Sequence, residues 1–209
     1  MPQVIKILTL FSFIIGITAH QANAQSIGYG IKSGLNIANF ANSNFDTQNR
    51  IAVNIGVYGN VDIRQTPLSV QPELLYTQRG SSSSWQFGDI VRRGTLSLDY
   101  IEFPLLLKYT GNITHQTEWY LLTGPSFAYL LRSEFSSLDI EHSTNSTDIG
   151  LVGGLGMDLP FISQRLSVEA RYTHGFTRIY KSGFNSECCG SFERPQKNST
   201  FSIILGVGL

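Results

Sequence analysis

The stretch from Ile51 to Ile63, IAVNIGVYGNVDI, places an apolar residue at nearly every second position. Ile51, Val53, Ile55, Val57, Val61 and Ile63 alternate with Ala52, Asn54, Gly56, Tyr58, Asn60 and Asp62. A period of two belongs to a β-strand with one apolar and one polar face. The same alternation recurs along the chain. Ile27, Tyr29 and Ile31 oppose Gly28, Gly30 and Lys32; Leu68, Val70, Leu74 and Tyr76 oppose Gln71, Glu73, Thr77 and Arg79. Further strands are expected in TLSLDYIEFPLLLKY, EWYLLTGPSFAYLL, DIGLVGGLGMDL, RLSVEARYTHGF and TFSIILGVGL, which brings the expected number to eight. In the fourth, the apolar parity passes from Leu96 and Leu98 to Ile101, Phe103, Leu105, Leu107 and Tyr109. An inserted residue produces such a switch, so a β-bulge is expected between Asp99 and Ile101. Pro104 calls for a break in the ladder nearby.

The connections alternate in length. RQTP, TGNITHQT and PFISQ are short; ANSNFDTQN, GSSSSWQFGDIVRRG, RSEFSSLDIEHSTNST and RIYKSGFNSECCGSFERPQKN are long and polar. An up-and-down meander therefore gathers the short turns at one end and the long loops at the other, with the Ser81–Ser84 run in a loop. An eight-stranded antiparallel transmembrane β-barrel, all-β, with short periplasmic turns and long extracellular loops has this layout.

The first residues read as an export signal. Lys6 precedes an apolar run from Ile7 to Ile17, and Ala22-Asn23-Ala24 supplies a small-residue cleavage site. The run is shorter than the roughly 20 residues of a spanning helix. A cleaved signal peptide at 1–24 and one barrel domain at 25–209 are expected. Lys plus Arg number 15, as do Asp plus Glu, so no basic stripe offers a nucleic-acid interface. Charged residues make up 14% of the chain, low against about 25% in soluble domains.

Alternation alone does not say which face is the lumen, and a soluble lipocalin-like carrier would turn the apolar face inward. Three features favour the everted arrangement. The polar face holds Gly28, Gly30, Gly56, Gly150, Gly154, Gly156, Gly206 and Gly208, which suits a narrow interior. Tyr76, Tyr109, Trp119, Tyr129 and Tyr172 fall at strand ends, as two interfacial girdles require. The apolar face is poor in charge, which at the bilayer midplane costs about 2–4 kcal/mol. The inward charges then need one another. Glu73, Lys108, Glu169 and Arg171 are the leading members of an expected lumen network, with Glu102, Asp148, Asp62 and Asp99 as partners. The network is read as a polar plug in preference to an ion path, since eight strands leave room only for side chains.

GIKSGLNIANF, LSVQPELLYTQRG, LDYIEFPLLLKY, WYLLTGPSFAYLL, GLVGGLGMDL and LSVEARYTHGFT resemble the successive blocks of the PorT-like outer-membrane β-barrel family. The resemblance runs from about residue 26 to 209 and is most specific in Gln71–Tyr76 and Glu102–Tyr109. It implies an eight-stranded barrel in the bacterial outer membrane. The founding member is associated with protein export by a gliding-related secretion system, and the family supplies no catalytic motif. Leu209 departs from the aromatic residue favoured at the end of such barrels.

The residues hold no P-loop, no H-E-x-x-H and no Cys-rich metal pattern, so neither cofactor nor metal is expected. Cys188 and Cys189 are adjacent. Their Cα atoms lie about 3.8 Å apart, below the roughly 4.4–6.8 Å of ordinary disulfides; an exposed loop pair is expected. His115, His142 and His174 are the histidines beyond the signal. A dyad of His174 with Asp139 would be the best basis for a rim enzyme. The favoured reading is a non-enzymatic, monomeric barrel surrounded by outer-membrane lipid, whose long loops meet a protein partner in a secretion or surface complex. Trp85, Phe87, Phe135, Phe184 and Phe192 are the loop aromatics that would be covered. A small solute conduit is the further alternative.

Overall fold

The structure is a computed structural model and describes residues 27–41, 47–87, 90–114, 116–135, 138–139, 145–161, 164–178, 185–186, 190–191 and 197–209. The expected signal at 1–24, His115, His142, Phe184, Cys188, Cys189 and Phe192 lie outside these residues. Eight long strands form the wall: β1 (Ile27–Ala41), β2 (Thr47–Asp62), β3 (Leu68–Phe87), β4 (Ile90–Asn112), β5 (Glu118–Phe135), β6 (Thr147–Phe161), β7 (Gln164–Arg178) and β8 (Lys197–Gly208). Each pairs antiparallel with its sequence neighbours, and β8 pairs with β1 to close the cylinder. The closing seam runs without interruption from Gly30 opposite Gly208 to Ala41 opposite Lys197. A last bond from Leu209 N to Tyr29 O (2.8 Å) extends it. Closure is what satisfies every strand edge within the wall.

The wall is everted. Ile55, Val168 and Ile203 are 57%, 37% and 44% exposed, whereas their neighbours Asn54, Glu169 and Ser202 are 3%, 1% and 5%. The apolar row of each strand therefore faces outward and the polar row faces the axis, the reverse of a lipocalin-like carrier. Turns at one end are tight: in the β2–β3 turn, Thr66 Oγ1 donates to Ile63 O at 2.9 Å and Gln65 adopts a left-handed φ of 58°. In the β4–β5 turn, Thr114 Oγ1 accepts from Thr117 N at 3.1 Å.

Three local expectations need correction. Parity in β4 does not switch: Leu98 and Tyr100 point inward in step with Glu102 and Leu106, and all four are buried. The register break does fall opposite Asp99 and Tyr100, but the extra residue is on β5. Tyr100 pairs with Leu130 and Asp99 with Arg132, so Leu131 has no opposite number, and Leu131 and Arg132 are both exposed. The apolar runs on both strands concealed which of them carried the insertion. Second, the Ser81–Ser84 run is strand, not loop: β3 and β4 stay paired to Phe87 opposite Ile90. Third, the interior is not wholly polar. Leu106, Tyr120, Leu122 and Val152 form an apolar buttress inside the β4–β6 wall. The pairing does lapse around the prolines. The β3–β4 register has no pair between Pro72–Leu105 and Leu75–Glu102. The β4–β5 register has none between Pro104–Ser126 and Leu107–Thr123.

An outward row facing hydrocarbon makes a testable demand. Ile203→Arg is expected to lower the unfolding free energy by about 2–4 kcal/mol, measured by denaturant titration in phospholipid vesicles. No measurable loss would mean that this row does not face lipid.

Candidate functional site

Glycine opposite a large side chain is the device that fills the lumen. Tyr58 is the register partner of Gly30, and Tyr120 that of Gly156. A Cβ on Gly30 or Gly156 would come within 2.6 or 2.4 Å of the tyrosine ring. Lys32 lies between Gly56 and Gly206, and Arg171 is opposite Gly154. The small residues on the polar face thus mark where long ones cross the axis.

Those long side chains meet in three tiers. In the middle tier, Arg171 grips Glu73 with both terminal nitrogens at 2.6 Å. It also pairs through Nε with Glu169. Lys32 Nζ donates to Glu73 at 2.9 Å and Glu169 at 3.0 Å. Gln71 Nε2 and Tyr120 Oη complete the shell, donating to Glu73 at 2.7 Å and Glu169 at 3.1 Å. Two acids and two bases, each buried, therefore balance in charge and are closely bonded. Such balance is what makes ions tolerable in a dry interior. Toward the long-loop end, Arg79 Nη2 donates to Glu102 at 2.6 Å and Nη1 to Asp148 at 3.1 Å. Asn198 adds a bond to Asp148 at 2.8 Å. Gly175 makes this possible, since a Cβ there would stand 2.8 Å from the Asp148 carboxylate. Toward the short turns, Lys108 pairs with Asp158 at 2.8 Å and sits 3.8 Å from the centre of the Tyr120 ring.

The expected network members thus fall into separate groups. Glu73, Glu169 and Arg171 meet directly; Glu102 and Asp148 meet around Arg79; Lys108 belongs with Asp158 near the turns. Lys32, Arg79 and Asp158 lie outside the expected set, although parity puts all three on the polar face. Asp99, expected as a lumen partner, stands on the outward parity of β4 between the register partners Gln78 and Arg132. Its position follows from the unbroken parity of that strand. Asp62 is half-buried at the turn end and accepts from Asn60 at 2.8 Å.

The five girdle aromatics all face outward. Tyr109 and Trp119 stand together at the short-turn end with ring centres 5.8 Å apart. Tyr76, Tyr129 and Tyr172 stand nearer the long loops; Tyr76 accepts from Gln78 at 3.2 Å, and the Tyr172 and Ser199 hydroxyls are 2.7 Å apart. Tyr29, exposed on the turn end of β1, adds to the belt. His174 also faces outward, between the rings of Tyr172 and Phe176. Among the described residues, no group of three or more metal-ligating side chains occurs.

An everted, closed, eight-stranded wall around an ionic axis defines a transmembrane β-barrel of the bacterial outer membrane. The chain belongs to the outer membrane protein beta-barrel domain family, whose family model matches residues 22–181. A comparison with curated protein sequences finds no match. Solved structures share the fold at low identity. Neisserial surface protein A aligns at 13% identity and TM-score 0.52, covering 88% of this chain and 99% of its own. OprG from Pseudomonas aeruginosa aligns at 14% and 0.52, covering 87% and 92%. The outer membrane enzyme PagL aligns at 12% and 0.51, covering 87% and 98%.

Removing Glu73 would leave Lys32 and Arg171 short of a shared carboxylate in a buried site. Glu73→Leu is expected to cost about 3–5 kcal/mol in denaturant titration of the folded barrel. A near-neutral result would show that water reaches the middle tier and screens the two cations.

Proposed function

We propose that this outer-membrane barrel is a non-enzymatic, monomeric docking protein, and that the β3–β4 hairpin is the element that binds its partner. One observation carries the reading. Among the described residues, β2 pairs with β3 as far as Thr47 opposite Ser83, and β5 pairs with β4 from Phe135 opposite Leu96. The two strands of the hairpin nevertheless stay paired with each other out to Phe87 opposite Ile90. From the level of Gln78 and Asp99 the hairpin rises roughly 30 Å at about 3.3 Å per residue. Among the described residues, neither of its outer edges has a neighbouring barrel strand over the last residues. An uncovered strand edge is a template for a further strand.

The PorT-like resemblance in Gln71–Tyr76 and Glu102–Tyr109 supports a partner within a secretion or surface complex. Export would remove residues 1–24 and leave 25–209 as the barrel. A rim enzyme is less well supported. The His174 ring stands between two aromatic rings on the outward face, and among the described side chains no carboxylate pairs with it. A conduit is disfavoured by the three ionic tiers across the axis.

Two measurements test this reading. Excising Ser83–Gly94, whose ends are register partners, and joining the strands with a two-residue turn should leave a folded, heat-modifiable barrel. A partner captured from detergent-solubilised outer membranes should then be lost, whereas an unchanged set of captured proteins would rule out the hairpin. In planar bilayers the intact protein should give no steady single-channel current. Steady currents would replace the plug with a conduit.

A further inference from the structure

Between the outer and middle tiers lies a small chamber of about 20 Å³. Arg79 and Glu102 roof it and Arg171 floors it. One wall is hydroxyl and amide, from Asn36, Asn54, Thr77, Thr173, Thr200 and Ser202; Leu75, Pro104, Val152 and Ile204 complete the lining. The amide wall is bonded in one direction. Asn36 donates to Thr77 Oγ1 and Gln78 O, both at 2.9 Å. Its own oxygen accepts from Asn54 Nδ2 at 2.6 Å and Ser202 Oγ at 2.8 Å. The chain of bonds ends at Asn54 Oδ1, which is buried and accepts no hydrogen bond. Asn54 is 3% exposed. A buried amide oxygen without a donor is costly, and here it belongs to a residue that lines a polar space large enough for one water.

We infer that the chamber is a binding site for a single water molecule, which donates to Asn54 Oδ1 and joins the outer tier to the middle one. The surroundings choose between water and an ion of similar size. A cation would sit between the Arg79 and Arg171 guanidinium groups, both fixed in place by carboxylates. An anion would face Glu102 and an amide oxygen that lacks a donor. A neutral molecule that both donates and accepts meets all of these groups: it donates a hydrogen bond to Asn54 Oδ1 and accepts one from a neighbouring hydroxyl or guanidinium.

A crystal structure of the intact barrel at a resolution that orders internal waters tests the site, with bromide and rubidium soaks as ion probes. The expected result is one peak within hydrogen-bond distance of Asn54 Oδ1, with no anomalous signal from either soak. The peak should vanish in Asn54→Leu, which keeps the branched heavy-atom skeleton of the side chain and removes the acceptor. A chamber without density in the wild-type crystal overturns the inference, as does an anomalous bromide or rubidium peak or a peak that persists in Asn54→Leu. Should the variant fail to fold, the wild-type barrel in micelles decides. Magnetisation transfer from a long-lived water to the Asn54 side-chain amide supports the site, and its absence overturns it.

Discussion

Hydrocarbon offers no hydrogen bond to a backbone amide, and the rest of this structure depends on that fact. Each unsatisfied N–H or C=O in the bilayer costs several kcal/mol. A sheet can meet the requirement only by having no edge within the membrane, so β8 must find β1. Once the wall is closed and its apolar rows face lipid, the polar rows have nowhere to go but a narrow axis. The ionic tiers are therefore a consequence of closure as much as a device of their own. Lys32, Glu73, Glu169 and Arg171 are tolerated because each is within hydrogen-bond reach of an opposite charge.

Space is the second constraint. Eight strands enclose an interior that side chains fill. Here the filling is organised by pairs of unequal size: Gly30 with Tyr58, Gly156 with Tyr120, and Gly154 with Arg171. The Gly-rich segment LVGGLG shows how readily this can be misread. Taken as a loop it resembles a phosphate cradle; at strand period it is room for Tyr120 and Arg171. The apolar buttress of Leu106, Leu122 and Val152 occupies the part of the lumen that the charges do not reach.

Most of the wall was legible in the sequence because a period of two survives wherever one face meets lipid and the other meets charge. Legibility failed where both faces are apolar. In SLDYIEF the apolar Leu98 and Tyr100 face inward, and in EWYLLTGPSFAYLL inward and outward residues are alike, so apolarity alone points Leu98 outward and assigns the inserted residue to β4 instead of Leu131 of β5. The hairpin beyond Ser81 was hidden for a different reason. Serines read as loop, and only the pairing of Trp85 with Arg92 and Phe87 with Ile90 reveals the strands. Of the lumen charges, Glu73, Glu169 and Arg171 were evident from parity. Alternation says which residues face the axis, but not at what height, so the grouping of Arg79 with Glu102 and Asp148 could not be read from it.

The interruptions at Pro72 and Pro104 make the circumference unequal. Proline has no amide hydrogen to lend to its neighbour, and these two fall on adjacent strands, with Pro125 following on the third. The join between the first and last strands is, by contrast, continuous. Under heat or load, the cylinder would accordingly split along its middle strands sooner than at the place where its two ends were sewn together.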